Sequence, residues 1–300
     1  METSTLSARD GRNIPLCHWP VIGSARGIVL IAHGLSEYAA RYERFALQLA
    51  AAEFGVVAHD HRGHGESAAL RGYFAERDGW QKVVGDVDTV VDHVRNAHPR
   101  LPVVLYGHSM GSFIARAYLF GLALSATGYH QKFRAYALRT LSRWLGRRTR
   151  PQAPSRALAA LIFGSFNLGF LPTRTPVDWF SRDPAEVNRY LADSLCGFAP
   201  SAGLWQDLFG GIIAIENGEK TGQGLSKNCP VLLAGSRDPV SLGSFGLGQL
   251  ARRYRAVGLT EIEVKVYAGG RHEMHHETNR EEFMTDLLQW LNRVATRTLQ

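Results

Sequence analysis

Three cysteines in 300 residues, Cys17, Cys196 and Cys229, are too few and too widely spaced for a disulfide framework or a thiolate metal site. They are expected as free thiols in a reducing compartment, which points to the cytoplasm. No apolar run is long enough for a bilayer-spanning helix, and the N-terminal METSTLSARDGRNIPLCHWP lacks an apolar core of signal-peptide length. At most, peripheral contact with a membrane is expected. Acid is missing from one long stretch, because no Asp or Glu occurs from His93 through Val177. Repeats and low-complexity tracts are also missing, which excludes solenoids and disordered tails.

What is present is a chain with 45% hydrophobic residues, enough for one large core that carries an insertion. Short apolar runs alternate with helical patterns. GIVLIA (27–32), FGVVAH (54–59), VVLY (103–106), LALSA (122–126), VLLAG (231–235) and EIEVKVY (261–267) read as strands, most of them buried on both faces. Residues 80–98, 250–257 and 280–294 read as amphipathic helices, the last with a stripe of Phe283, Leu287, Leu288 and Leu291. Thr3 to Pro20 reads as a hairpin turned at Asp10-Gly11 on the sheet edge. Strand signals vanish from 127 to 229. The expected division is therefore an α/β core of 1–126 and 230–300 with a helical cap of 127–229.

Chemistry concentrates at the strand exits, where open parallel sheets place their sites. Gly107-His108-Ser109-Met110-Gly111 lies between an apolar run and a helical pattern through Ile114, Ala115, Tyr118 and Leu119, the strand–turn–helix setting of a nucleophile elbow. A tight turn there would lift the Ser109 hydroxyl out of the sheet. Ser236-Arg237-Asp238-Pro239 and Gly269-Gly270-Arg271-His272 leave later strands, and the order Ser109, Asp238, His272 is that of the triad on such sheets. His272 would act as base, with Asp238 fixing its tautomer. The backbone N–H groups of Met110 and Leu35 are the expected oxyanion donors. Asp60, Asp86 and Asp88 are rival acids, and His275 is the rival base.

The stretches HGLSEYAARYERFA, DHRGHGES, GHSMGS, SRDPAEV, GSRDPVS and YAGGRHEMHHE, spread over most of residues 25 to 295, resemble one branch of the α/β-hydrolase fold. That branch includes monoacylglycerol lipases, bacterial lysophospholipases and relatives of proline iminopeptidase. The resemblance implies a mostly parallel sheet flanked by helices with an inserted helical lid. It also implies a serine hydrolase that cleaves a small lipid ester through an acyl-enzyme, with no cofactor or metal. One departure from the branch is the short join between Phe120 and Leu122. The alternative activity on the same triad is an aminopeptidase of the iminopeptidase type, which would need lid carboxylates such as Asp178, Asp183 or Glu186 to hold a substrate amine. A third class is a binding protein on an inert scaffold, which the intact Ser, Asp, His and His-Gly loop argue against.

Two histidine patterns point elsewhere. His272-Glu273-Met274-His275-His276 matches H-E-x-x-H, but that zinc motif needs a continuous helix and here follows a strand and two glycines. His59-Asp60-His61-Arg62-Gly63-His64 lacks the Asp before its last His that paired-histidine zinc hydrolases carry.

The net charge is +7. Residues 128–177 carry Lys132, Arg134, Arg139, Arg143, Arg147, Arg148, Arg150, Arg156 and Arg174 without an acid. Subtracting these nine from 34 leaves 25 cations against 27 acids in the rest of the chain. Phe133, Tyr136, Ala137, Leu141, Trp144 and Leu145 share one side of the pattern from 132 to 146, and Lys132, Arg139, Arg143 and Arg147 another. Such a basic amphipathic helix fits either a cover over the pocket or contact with an anionic membrane. The apolar Ala157–Leu171 stretch fits an acyl channel. No nucleic-acid-binding module accompanies the charge.

Overall fold

The computed structural model describes residues 1–118, 122–129, 132–222 and 227–298. Its strands are β1 (Glu2–Ser7), β2 (Asn13–Trp19), β3 (Gly27–Ala32), β4 (Phe54–His59), β5 (Val103–His108), β6 (Leu122–Ser125), β7 (Val231–Gly235) and β8 (Ile262–Val266). They form one sheet in the order β1-β2-β4-β3-β5-β6-β7-β8, parallel from β4 through β8 and antiparallel at β1 and β2. This is the α/β-hydrolase fold. The edge hairpin is present, but its connection is longer than a two-residue turn. Ala8 N–H donates to Arg12 O at 2.8 Å, and within that loop only Gly11 takes a positive φ, 79°.

The strands β3 to β7 are buried throughout because helices cover both faces. Side chains alternate between the two layers at the pleat's period of two. Ile28 and Leu30 face the core built with α2 (Gly79–Ala97), α3 (Met110–Tyr118), α7 (Ala202–Gly218) and α8 (Gly243–Ala256). Val29 and Ile31 face the core built with α1 (Glu43–Ala51) and α9 (Arg280–Thr298), where Phe283, Leu287 and Leu291 form the expected stripe. In α1 the buried residues are Phe45, Ala46 and Leu49, whereas Leu47 is exposed. Leu119 and the join after it lie outside the described residues.

Between β6 and β7 the described chain is helical: α4 (Lys132–Arg148), α5 (Arg156–Asn167), a 3-10 turn at Leu168–Phe170, α6 (Pro184–Ala192) and α7. The apolar side of α4, for which the sequence left two uses open, is divided: Leu141 and Leu145 are half-buried against the core, and its aromatic residues are not. Its buried positions are Ala135, Ser142 and Gly146, small residues that let it lie close against α7. The large residues Phe133, Tyr136 and Trp144 face outward, at 74%, 49% and 48% exposure. Close helix approach selected the small residues for the interface, so hydrophobicity alone does not decide which face is inside. Arg139 also leaves the charged group, half-buried with its guanidinium against Gly210 of α7. No helix among the described residues is long and apolar enough to cross a membrane.

A buried ion pair ties the insertion to the core. Arg116 of α3 donates to both oxygens of Glu219, just past α7, at 2.9 and 2.8 Å, with the side chains 0% and 2% exposed. Tyr254 of α8 donates to the same carboxylate at 2.8 Å, and Arg116 also reaches Gly128 O at 2.8 Å. Breaking such a pair from one side strands a buried charge, at about 3–5 kcal/mol. We expect Glu219→Ala to lose about that much stability in urea unfolding, and the double variant Arg116→Met/Glu219→Ala to recover part of it. A loss below about 1 kcal/mol for the single variant would contradict this role.

Candidate active site

The turn at Ser109 has the local geometry of an elbow. Ser109 holds φ at 52°, left-handed and unfavourable for a residue with a Cβ, between the end of β5 and the start of α3. Its N–H donates to Ser125 O at 3.0 Å, and its carbonyl accepts from the N–H and hydroxyl of Ser112 at 2.9 and 2.6 Å. The crossing is tight enough to require glycine on both sides. A Cβ at Gly107 would lie 2.7 Å from Gly111 O and 2.8 Å from Ser112 Cα, and one at Gly111 would overlap the Ala32 carbonyl. Buried β5 anchors the turn from below. Ser109 itself is half-buried and lines a cavity with Leu35, Met110 and His272.

His272 and Asp238 meet although 34 residues separate them, with Nδ1–H of His272 donating to Asp238 Oδ1 at 2.7 Å. Asp238 also accepts from Val240 N–H at 3.1 Å and Ser241 N–H at 2.8 Å. Burial works to raise the pKa of this carboxyl, but His272 and these donors outweigh it and hold it below the usual range. The other histidine and acids are placed elsewhere. His275 stacks on Tyr42 at 4.7 Å, and burial drives its pKa well below normal. Asp86 pairs with Arg62 and Arg12, Asp88 pairs with Arg9, and Asp60 accepts the Ala39 N–H at 2.8 Å.

The loop bearing Leu35 is held by residues that sequence reasoning did not single out. Glu37 Oε1 accepts from Gly34 N–H at 2.5 Å and Tyr42 OH at 2.8 Å, while Oε2 accepts from Arg41 at 2.7 Å. The same guanidinium donates to both oxygens of Glu273, at 2.8 and 2.7 Å. Glu273 follows His272 directly, so one buried chain of charge-assisted bonds runs from the Gly34 amide to the histidine loop. Burial opposes both carboxylates, yet Arg41 keeps them ionised, Glu273 well below its ordinary pKa. The i,i+4 spacing of Glu37 and Arg41 was a usable signal; their partnership with Glu273 was not visible in one dimension.

Beside His272, His108 lies ring to ring at 4.7 Å, and burial lowers its pKa to about 4, so it stays neutral at physiological pH. Beneath the Leu35 loop, His33, His59, His61 and His64 are fully buried. His33 Nε2 accepts from His61 N–H at 3.1 Å, which assigns its proton to Nδ1, 2.8 Å from Gly34 O. Burial pushes His59 and His64 down to about 3. The segment after His272 is a 3-10 turn, Met274–His276, in which His276 pairs with Glu273 at 3.1 Å, so its histidines do not line one face of an α-helix. Among the described residues, no three His, Cys, Asp or Glu side chains are grouped so as to hold a metal ion.

The sheet-loop side of the cavity is polar, formed by Gly34, Glu37, His108, Ser109, His272 and Glu273. The inserted helices contribute a mostly apolar side, with Leu138 from α4, Ile162, Phe163 and Phe166 from α5, and Leu208 and Phe209 from α7, beside Arg134 of α4. Trp179 and Phe180 complete it close to His272, the Trp179 ring 4.6 Å from the imidazole. A site with a serine and a histidine on one side and an apolar slot on the other can take an acyl group and expose its carbonyl to an oxygen nucleophile.

Comparison with known proteins agrees with this architecture. The chain is 30% identical over 284 residues to a monoacylglycerol lipase of Mycolicibacterium smegmatis, covering 91% of this chain and 90% of that protein. It is 30% identical to human monoglyceride lipase, covering 89% of this chain and 82% of the human protein. A carboxyl esterase of Bacillus coagulans, solved with glycerol, superposes with a TM-score of 0.86 at 25% identity over 98% of both chains. The family model described as serine aminopeptidase, S33, matches residues 23–279. The chain therefore belongs to this S33 family of α/β-hydrolases.

Proposed function

We propose that the protein hydrolyses carboxylic esters of lipid type, with monoacylglycerols and lysophospholipids as the substrate class, through an acyl-enzyme on Ser109. The carrying observation is one cavity that joins Ser109 and the Asp238-bonded His272 to an apolar wall from α4, α5 and α7. Ester hydrolysis as the reaction class is supported by the relatives named as monoacylglycerol and monoglyceride lipases. In this reading His272 takes the Ser109 proton as Oγ attacks the ester carbonyl. The N–H groups of Met110 and Leu35 receive the oxyanion, and His272 returns the proton to the leaving alcohol. Water, deprotonated by the same base, then releases the fatty acid. Residues 127–229 serve as the lid that covers the acyl chain.

The peptidase alternative needs a carboxylate free to hold a substrate amine. Both carboxylates that line the cavity, Glu37 and Glu273, are bound to Arg41. The lid acids are occupied as well: Asp178 by the Arg174 and Thr175 amides, Asp183 as the cap of α6, and Glu186 by Arg44 and Arg189. A lipid ester asks for none of them. We expect fluorophosphonate to label Ser109 and EDTA to leave turnover unchanged. Monoacylglycerol or lysophospholipid should be hydrolysed in a panel where a proline arylamide is not. Asp238→Asn and His272→Ala should each lower kcat at least about a thousandfold, and Asp60→Asn or His275→Gln less than about tenfold. Zinc-dependent turnover, or a reversed ranking, would overturn the assignment.

The outward face of α4 supports delivery from a membrane. Phe133, Tyr136 and Trp144 are exposed there, and Arg148 lies over the Trp144 ring at 4.0 Å. Leu161, Leu168 and Leu171 add 54%, 66% and 67% exposed side chains from the neighbouring segment. Aromatic rings mixed with cations match the headgroup region of an anionic bilayer, where each cation contributes about 1 kcal/mol. The triple change Arg143, Arg147 and Arg148 to Gln should therefore weaken binding to phosphatidylserine vesicles on the order of a hundredfold at low salt. Hydrolysis of a soluble short-chain ester should stay unchanged. Equal sedimentation of both proteins with vesicles would rule this delivery out.

A further inference from the structure

Both candidate triad residues supplied after the insertion are preceded by an arginine, Arg237 before Asp238 and Arg271 before His272. The two guanidinium groups converge on one ring. Arg271 Cζ lies 4.8 Å from the centroid of Phe170 and Arg237 Cζ 5.6 Å from it, within cation–π range. Phe170 ends the 3-10 turn that follows α5, so it belongs to the insertion and not to the sheet loops. It does not line the cavity.

The same contact is backed by hydrogen bonds. Arg237 Nη2 donates to Gly169 O at 3.0 Å, and Arg271 Nη1 donates to the carbonyls of Asp178 and, at 3.4 Å, Ser181. A few residues on, His272 N–H donates to Trp179 O at 3.2 Å and Glu273 N–H to Phe180 O at 2.8 Å. Two like charges repel at this separation; the Glu277 and Asp178 carboxylates attract Arg271, and a group that attracts both guanidinium groups at once holds the pair beside one ring. The face of a phenyl ring does so through its quadrupole, which an aliphatic side chain of equal bulk lacks.

We propose that Phe170 is a positioning residue for the catalytic acid and base: by binding Arg237 and Arg271 together, it sets the spacing of the Asp238 and His272 loops from the insertion side. This rests on the assignment of those residues under the proposed function. In consequence the stretch from Gly169 to Ser181 acts as a fixed part of the active site. Phe170 touches no reacting atom, so its removal should appear in turnover and not in substrate binding.

The test uses the whole protein and a soluble short-chain p-nitrophenyl ester, which needs no membrane. Phe170→Leu keeps bulk and removes the quadrupole; it should lower kcat about five- to tenfold with KM within about twofold of the parent. Phe170→Tyr keeps the ring face and should retain nearly full kcat. Arg237 is exposed, and Arg237→Gln should lower kcat in the parent with KM within about twofold, which stands as the test should Phe170→Leu fold poorly; where both fold, it should lower kcat no further in the Phe170→Leu background. Equal activity of the Leu and parent proteins, equal losses in Leu and Tyr, or additive effects of Phe170→Leu and Arg237→Gln would overturn the proposal. Failure of fluorophosphonate to label Ser109 in the parent would instead overturn the underlying catalytic assignment, whatever the Phe170 variants do.

Discussion

The close passage of α3 across the end of β5 is the constraint on which the site depends. Only glycine at 107 and 111 allows that approach, and it leaves Ser109 in a left-handed conformation that its own surroundings must hold. The holding comes from the sheet: β5 is central and buried on both faces, and the Ser109 amide extends its ladder to β6 through Ser125. A strained residue held at one point of a rigid sheet is a sound place for a nucleophile, because relaxation of the turn would cost buried ladder bonds.

Around that fixed point the other loops are located by charge. Arg41 binds the loop carrying Leu35, through Glu37, and the loop carrying His272, through Glu273. Each partner is buried, so each would be costly alone, and the network is stable only when complete. The proposed oxyanion donor and the proposed base are thus located by one guanidinium, while Asp238 is located by its own turn and by His272. Arg116 and Glu219 do the comparable work where the inserted helices return to the core.

The insertion divides by the character of its contacts. From Trp179 to Phe180 it bonds backbone to backbone with the His272 loop, and Tyr190 OH reaches Ser36 O at 3.1 Å. By contrast α4 packs on α7 through small side chains and leaves its aromatic residues in solvent. A polar, directional attachment suits the part that shapes the site. The exposed aromatic face of α4 is the one on which the proposed membrane contact rests.

The sequence alone determined the alternation of strands and helices, because strands buried on both faces read as unbroken apolar runs and amphipathic helices read at their own period. It also marked the strand exits where Ser109, Asp238 and His272 stand, since turn chemistry is local. What it could not decide was which distant charges meet. Arg41 and Glu273 are separated by more than two hundred residues, and nothing in either neighbourhood encodes the other. Nor could it decide which face of α4 is buried. Phe133, Tyr136 and Trp144 are more hydrophobic than Ala135, Ser142 and Gly146, yet the small residues are inside, because the distance between α4 and α7 is a property of the packed pair and not of either helix.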